Sequence, residues 1–103
     1  MSAKRILLIA NPASGHHRGK QRLAQAEEHL ASLGHTVNAE LTEHAGHATL
    51  LTKSNAPDFE IVAALGGDGT VNEVANGLMA VEPAERPALA TLPVGTGNDV
   101  ALT

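Results

Sequence analysis

The sequence predicts an α/β fold, in which a parallel β-sheet carries helices on both faces. Two short runs, residues 6–10 and 61–65, are apolar at every position. A strand that is apolar on both faces usually lies inside a parallel sheet. Each run ends at a glycine-containing turn and is followed by apolar residues at helical spacing. Repeated strand, turn and helix are typical of βαβ units with right-handed crossovers.

Four strands are predicted along the chain. The first and third are the continuous apolar runs, and the second alternates loosely, with Val37, Ala39 and Leu41 on one face. The predicted strands are residues 6–10, 35–41, 61–65 and 89–92.

Three helices are predicted between these strands. The first covers roughly residues 18–33, and Gly34 supplies its expected C-terminal stop. A short second helix is expected over residues 46–54 and is broken by residues 55–58. The apolar face of the first helix is predicted to consist of Leu23, Ala26, Leu30 and Leu33. That of the third helix is predicted to consist of Val71, Val74, Ala75, Leu78 and Met79.

Composition narrows the class of protein. The chain of 103 residues has room for one domain and carries a net charge of −4. Phe59 is the only aromatic residue, which argues against a base-stacking platform for single-stranded nucleic acid. All eleven carboxylates follow residue 22, and this acidic remainder disfavours a nucleic-acid or anionic-membrane surface. The preceding segment, with Arg18 and Lys20, is basic enough to attract phosphate.

Compartment and membrane signals are absent from the sequence. There is no cysteine, so neither a disulfide framework nor a thiolate zinc site is expected. No apolar run approaches the roughly 20 residues that span a bilayer, and residues 6–10 are too short for a signal-peptide core. We therefore expect a soluble, cytoplasmic protein.

Glycine-rich turns are expected to converge at one edge of the sheet, where ligands bind in such folds. Residues 11–15, 66–70 and 95–99 are rich in Gly, Ser, Thr and Asn, and residues 42–47 carry Thr42 and Gly46. Glycine lets the backbone approach an anion closely, and the following helix offers free N–H groups. This convergence predicts a phosphate or nucleotide site.

Asp68 makes residues 66–70 the most informative of these turns. A carboxylate facing a phosphate is repulsive unless a metal ion or a sugar hydroxyl lies between them, so magnesium or ribose binding would explain it. The structural alternative is a tight turn with a polar tip. In residues 95–99, Thr96 and Asn98 could both donate hydrogen bonds to a ligand. Alternatively, Asn98 could cap the helix that follows. In residues 11–15, Ser14 either presents a donor to phosphate or belongs to an ordinary turn.

Several common motifs are not met. The sequence has no GxxxxGK[ST] motif, and neither Gly67 nor Gly95 begins a complete GxGxxG fingerprint. None of the six histidines has a carboxylate-supported zinc arrangement, so surface or capping roles are expected for them.

Taken together, the motifs resemble those of diacylglycerol kinase catalytic domains, in the same order. The chain is similar over essentially its whole length to the bacterial lipid-kinase branch, which also resembles sphingosine and ceramide kinases. The motifs are NPASG at residues 11–15, Thr42 with GHA at residues 46–48, GGDGTVNE at residues 66–73 and LPVGTGND at residues 92–99.

The resemblance implies a three-layer, Rossmann-like nucleotide-binding domain over residues 1–103. In the family a mostly β domain follows, which is absent from this chain, and ATP lies in the cleft between the two. The implied cofactors are ATP and Mg²⁺. Asp68 matches the family's essential aspartate and is the catalytic residue expected here. The positions expected to bind ATP are Asn11, Ser14, Thr42, Gly67, Asp68, Gly69, Thr70, Val71, Asn72, Glu73, Thr96 and Asn98.

The implied reaction is transfer of the ATP γ-phosphate to the hydroxyl of a diacylglycerol-like lipid. The resemblance implies that Asp68 helps to organise magnesium and phosphates. The general base, further metal ligands and the lipid site are expected in the missing domain, so this chain alone is expected to bind ATP weakly and to turn over little. The acceptor stays open among diacylglycerol, sphingoid bases, phosphatidylglycerol and undecaprenol-type alcohols. No nucleic-acid partner is expected. Transient membrane-surface contact of the full protein and a homodimer stay open.

Three alternatives are kept. NAD kinases and 6-phosphofructokinases share a GGDG-type loop, although residues 92–99 favour the lipid-kinase branch. A regulatory, non-catalytic nucleotide-binding module would bind without metal dependence, and Asp68 would then be replaceable. A structural flavodoxin-like domain would have no ligand and would tolerate substitution of Gly67 and Gly69.

Overall fold

The residues that the structure describes form one parallel four-stranded sheet flanked by three α-helices. The structure is a computed structural model that describes residues 3–13 and 18–92. The strands are β1 (Arg5–Ala10), β2 (Thr36–Leu41), β3 (Ile61–Leu65) and β4 (Ala88–Leu92). The helices are α1 (Gly19–Ser32), α2 (His47–Asn55) and α3 (Asp68–Met79), with short 3₁₀ turns at Ala56–Asp58 and Pro83–Glu85.

The strand order is β2-β1-β3-β4, and every pairing is parallel. β1 and β3 occupy the centre, as expected for the two runs that are apolar throughout, because central strands are covered on both faces. The chain passes from β1 outward to β2 and then returns to the other side of β1 at β3. The strand order therefore reverses between β1 and β3, which is where ligands bind in open α/β sheets.

Two apolar cores lie on opposite faces of the sheet. On one face, Leu23, Ala26 and Leu30 of α1 pack against alternate residues of β1, including Ile6 and Leu8. On the other face, Leu7 and Ile9 belong to a core that α2 and α3 close through Ala48, Val74 and Leu78. Side chains alternate across a strand, so one short apolar segment supplies both cores. This confirms the predicted layers of helix, parallel sheet and helix.

Close helix approaches depend on two glycines. A Cβ at Gly19, the first residue of α1, would overlap the carbonyl oxygen of Asn11 and lie 2.8 Å from the Cα of Pro12. A Cβ at Gly77 of α3 would lie 2.7 Å from the Cβ of Thr52 on α2. Gly19 thus brings α1 against the turn that follows β1, and Gly77 brings α2 against α3.

The predicted elements agree with the structure within about one residue at the strand ends. Gly34 ends α1 as expected: its φ is 95°, and the N–H of His35 donates to the carbonyl of Leu30 at 3.3 Å, as in a Schellman motif. For two residues, the prediction that they lie on a buried apolar face was wrong. Met79 is 70% exposed and Leu33 is 44% exposed; Met79 is the last residue of α3, and Leu33 follows the last residue of α1.

Candidate functional site

The carboxyl ends of β1, β2 and β3 meet around a cleft of about 410 Å³. Asn11 and Pro12 line it from the turn after β1, and residues 42–45 line it from the loop after β2. The start of α3 contributes Gly67, Gly69, Thr70 and Glu73. Three turns that lie far apart in the sequence are therefore brought together, as the sheet topology predicts.

Residues 66–70 turn the chain from β3 into α3. Gly66 has a φ of 139°, a backbone conformation that favours glycine. Gly67 is the N-cap residue, and no side-chain cap hydrogen bond forms at this helix start. Since the first N–H groups of a helix have no partner within it, the start of α3 presents donors and the positive end of the helix dipole to the cleft.

Gly67 and Gly69 have no packing reason to be glycine. A Cβ built at either residue would meet no atom within 4 Å. Neither has a positive φ of the kind recorded for Gly34, Gly46 and Gly66. The packing of the fold therefore does not require glycine at these two positions, and their backbone is open to the cleft.

Asn11 and Thr42 shape the opposite wall. The Asn11 side chain accepts a hydrogen bond from the N–H of Ala13 at 2.9 Å, which is an Asx turn that fixes the bend after β1. Thr42 is buried, and its N–H donates to the carbonyl of Ala10 at 2.9 Å. This bond extends the β1–β2 pairing by one residue and holds the start of the 42–47 loop against β1.

Two histidines pack together at the rim. The rings of His44 and His47 stack with their centroids 4.8 Å apart and an angle of 20° between their planes. The Nδ1 atom of His47 accepts the N–H of Glu43 at 2.8 Å, so this imidazole carries its proton on Nε2. His44 Nδ1 lies 2.9 Å from the carbonyl oxygen of Ala45, so a hydrogen bond there needs a proton on this nitrogen. The surface and capping roles expected for histidine fit this pair.

The charged side chains on the cleft wall are negative. Glu43 and Glu73 line it, and neither lysine nor arginine does among the residues that the structure describes. An anionic ligand would therefore depend on backbone N–H groups and a counter-cation. No cluster of three or more His, Asp or Glu residues within 3–13 and 18–92 would hold a metal ion alone.

The predicted site residues separate into three groups. Those that line the cleft are Asn11, Thr42, Gly67, Gly69, Thr70 and Glu73. Three others lie on α3 beside it: Asp68 and Asn72 are exposed, and Val71 packs against the core on that face. Ser14, Thr96 and Asn98 lie outside the described residues. ATP contacts at all twelve positions stay predictions.

Sequence reasoning missed Pro12, Glu43, His44 and Ala45 as lining residues. Glu43 to Ala45 lie between Thr42 and Gly46, which were both noted, so their position between two motif residues was the available signal.

Within the part of the chain that the structure describes, each helix is too short or too polar to cross a bilayer.

Comparison with known proteins relates the fold and the cleft to a family. Residues 5–103 match the model of the diacylglycerol kinase catalytic domain. The chain is 42% identical over 99 residues to the diacylglycerol kinase of Bacillus subtilis (strain 168), covering 95% of this chain and 32% of that protein. It is 40% identical over 97 residues to the diacylglycerol kinase of Staphylococcus aureus (strain MRSA252), covering 93% and 30%.

A solved structure agrees with these sequence matches. The crystal structure of a diacylglycerol kinase from Bacillus anthracis str. Sterne superposes with a TM-score of 0.79 at 34% identity, over 96% of this chain and 36% of that one. The chain thus spans about a third of the length of the relatives that it matches.

Proposed function

Because the chain belongs to the diacylglycerol kinase catalytic domain family, we propose that it forms the ATP-binding part of a lipid kinase. The reaction that we propose transfers the γ-phosphate of ATP to the hydroxyl of a diacylglycerol-like lipid.

The observation that carries the proposal is the uncapped start of α3 beside two glycines that the fold does not need. Phosphate binds at helix N-termini because several N–H groups and the helix dipole point toward it. Gly67 and Gly69 leave the backbone open where a Cβ would otherwise stand between the helix and a ligand. We place the β- and γ-phosphates there, with Thr70 on the cleft wall next to them.

Magnesium fits the negative character of the site. Glu43, Glu73 and the exposed Asp68 would repel an uncompensated triphosphate. We propose that Asp68 helps to hold Mg²⁺, either directly or through water, together with phosphate oxygens. When bound, the ion would offset the charge that develops on the transferring phosphoryl group. The residues of this chain bind and orient the nucleotide, and such positioning is most of what phosphoryl transfer requires of a protein.

The lipid site and the general base are proposed for the part of the relatives that this chain does not span. That part is about two thirds of the B. subtilis protein, of which the chain covers 32%. We therefore expect the 103-residue chain to bind Mg-ATP weakly and to phosphorylate diacylglycerol little or not at all.

Thermal unfolding of the chain with and without millimolar Mg-ATP tests the proposal. A ligand at ten times its Kd adds about 1.4 kcal/mol, which for a domain of this size is a Tm shift of roughly 6–11 °C. Isothermal titration with Mg-ATP, with ATP plus EDTA, and with NAD⁺ then identifies the ligand class. Binding that needs magnesium and prefers ATP supports the kinase assignment. Equal binding with EDTA would favour a regulatory module, and preference for NAD⁺ would favour the NAD kinase alternative.

A further inference from the structure

We propose that Glu73 is a positioning residue, which holds the 42–47 loop and the start of α2 against α3 so that two walls of the cleft form one unit. This gives Glu73 a different role from the direct ATP contact predicted from its motif. The inference rests on the proposed nucleotide site only for its consequence for binding, since the contacts that define it lie within the protein.

Both carboxylate oxygens of Glu73 are engaged by α2. Oε2 accepts the N–H of Gly46 at 3.1 Å, and Oε1 accepts the N–H of Ala48 at 3.2 Å. The backbone carbonyl of Glu73 accepts the hydroxyl of Thr49 at 2.7 Å. One residue of α3 therefore binds three positions around the first turn of a helix that lies more than twenty residues earlier in the chain.

The start of α2 cannot supply this cap from its own residues. Its N-cap residue is Gly46, which has a φ of 83° and no side chain, and its first turn contains no acidic residue. The free N–H groups of a helix start need acceptors, and a carboxylate there also complements the helix dipole. Glu73 supplies both from a neighbouring helix.

Gly77 makes the arrangement sterically possible. Glu73 and Gly77 are four residues apart on α3 and so share one face of the helix. At Gly77 the helices touch, since a Cβ there would lie 2.8 Å from the carbonyl oxygen of Thr49 and 2.7 Å from the Cβ of Thr52. This close approach brings α2 near enough for the Glu73 carboxylate to reach its first turn.

The two helix starts at the cleft therefore have different roles. The N-terminus of α2 already holds a carboxylate, whereas that of α3 has no side-chain cap. Phosphate is therefore directed to α3, and the α2 end serves to fix the loop that carries Thr42 and His44. A direct ATP contact from Glu73 would require one of its oxygens to leave α2.

Amide NMR on the 103-residue chain tests this role without any ligand. In Glu73→Gln, which keeps the size of the side chain, we expect the amide signals of Gly46 and Ala48 to move upfield. We also expect their hydrogen exchange to accelerate about tenfold or more, since a bond to a charged acceptor is lost. Thr49→Val is the matched control, because it removes the third bond of the same interface but leaves the carboxylate in place. Unchanged Gly46 and Ala48 signals in Glu73→Gln would overturn the inference.

Addition of Mg-ATP to the wild-type chain separates positioning from direct contact. With a positioning residue, the Gly46 and Ala48 amides keep their protection when the nucleotide is bound, and Glu73→Gln weakens binding several-fold. Loss of protection at those amides on saturation with Mg-ATP would show that the carboxylate moves to the ligand and would overturn the inference. A wild-type chain that binds no Mg-ATP would contradict the proposed function, while the ligand-free amide measurements would still decide whether Glu73 holds α2.

Discussion

Gly77 of α3 lies against Thr52 of α2 so closely that a Cβ added to the glycine would be 2.7 Å from the Cβ of the threonine. Thr52 is fully buried, and its hydroxyl donates to the carbonyl of Ala48 at 2.8 Å. Neither partner is therefore free to move aside, and the distance between α2 and α3 is determined by the absence of one side-chain carbon.

Gly77→Ala should lower the free energy of unfolding. Overpacking of a well-filled contact costs about 1–3 kcal/mol, and alanine offsets up to ~1 kcal/mol of this through its higher helix propensity, so a net loss of about 0–2 kcal/mol is expected. Urea unfolding followed by circular dichroism measures the difference. Gly69→Ala is the matched control on the same helix, since a Cβ there meets nothing within 4 Å. A Gly77→Ala variant as stable as the wild type would show that the two helices separate at little cost.

Gly69→Ala should separate stability from ligand binding. The substitution introduces no clash, and alanine in a helix is favoured over glycine by up to about 1 kcal/mol. We expect the free energy of unfolding to stay unchanged or rise, while the affinity for Mg-ATP falls by tenfold or more, because the methyl group stands where the phosphates approach the backbone. Denaturation and isothermal titration of one preparation measure both. Unaltered affinity would remove the argument that Gly69 serves a ligand.

Gly19→Ala should disturb the turn after β1. The added carbon would overlap the Asn11 carbonyl oxygen and crowd Pro12, so a loss of about 1–3 kcal/mol is expected. The amide signal of Ala13, which donates to Asn11 Oδ1, should shift in the NMR spectrum. Lys20→Ala alters the neighbouring exposed helix position and should change stability by less than about 0.5 kcal/mol. An Ala13 amide signal that does not shift in Gly19→Ala would contradict this account of the turn.

Asp68→Ala should remove the magnesium-dependent part of ATP binding. We expect affinity in magnesium to fall at least tenfold and to approach the value measured with EDTA. Asp58→Ala is the control: both carboxylates are exposed, but Asp58 ends a short 3₁₀ turn that precedes β3 at the opposite edge of the sheet. Loss of the acidic residue at the α3 start should also cost about 0.3–1 kcal/mol of stability. Equal affinities of the two variants would exclude a metal-linked role for Asp68.

The fold could be predicted because its strongest signals are local. Residues 6–10 and 61–65 are apolar throughout, and they form the two central strands. Met79 was placed wrongly because periodicity extends a face to the helix end, whereas burial needs a partner that extends equally far. The role of Glu73 was not predictable from spacing, since it depends on a helix start that lies more than twenty residues earlier in the chain. The sequence analysis placed Gly46 inside the second helix, and only the structure shows it as an N-cap residue with no side chain.

The central position of β1 also bears on how the chain folds during synthesis. β1 ends at Ala10, yet one of its two pairing partners, β3, is complete only at Leu65. At about 5–20 residues per second, synthesis of the next 55 residues takes roughly 3 to 11 seconds, during which one edge of β1 has no partner strand. In the nascent chain β1 therefore has an unpaired edge until β3 is made, and faster translation of the next 55 residues should shorten the period in which it can aggregate.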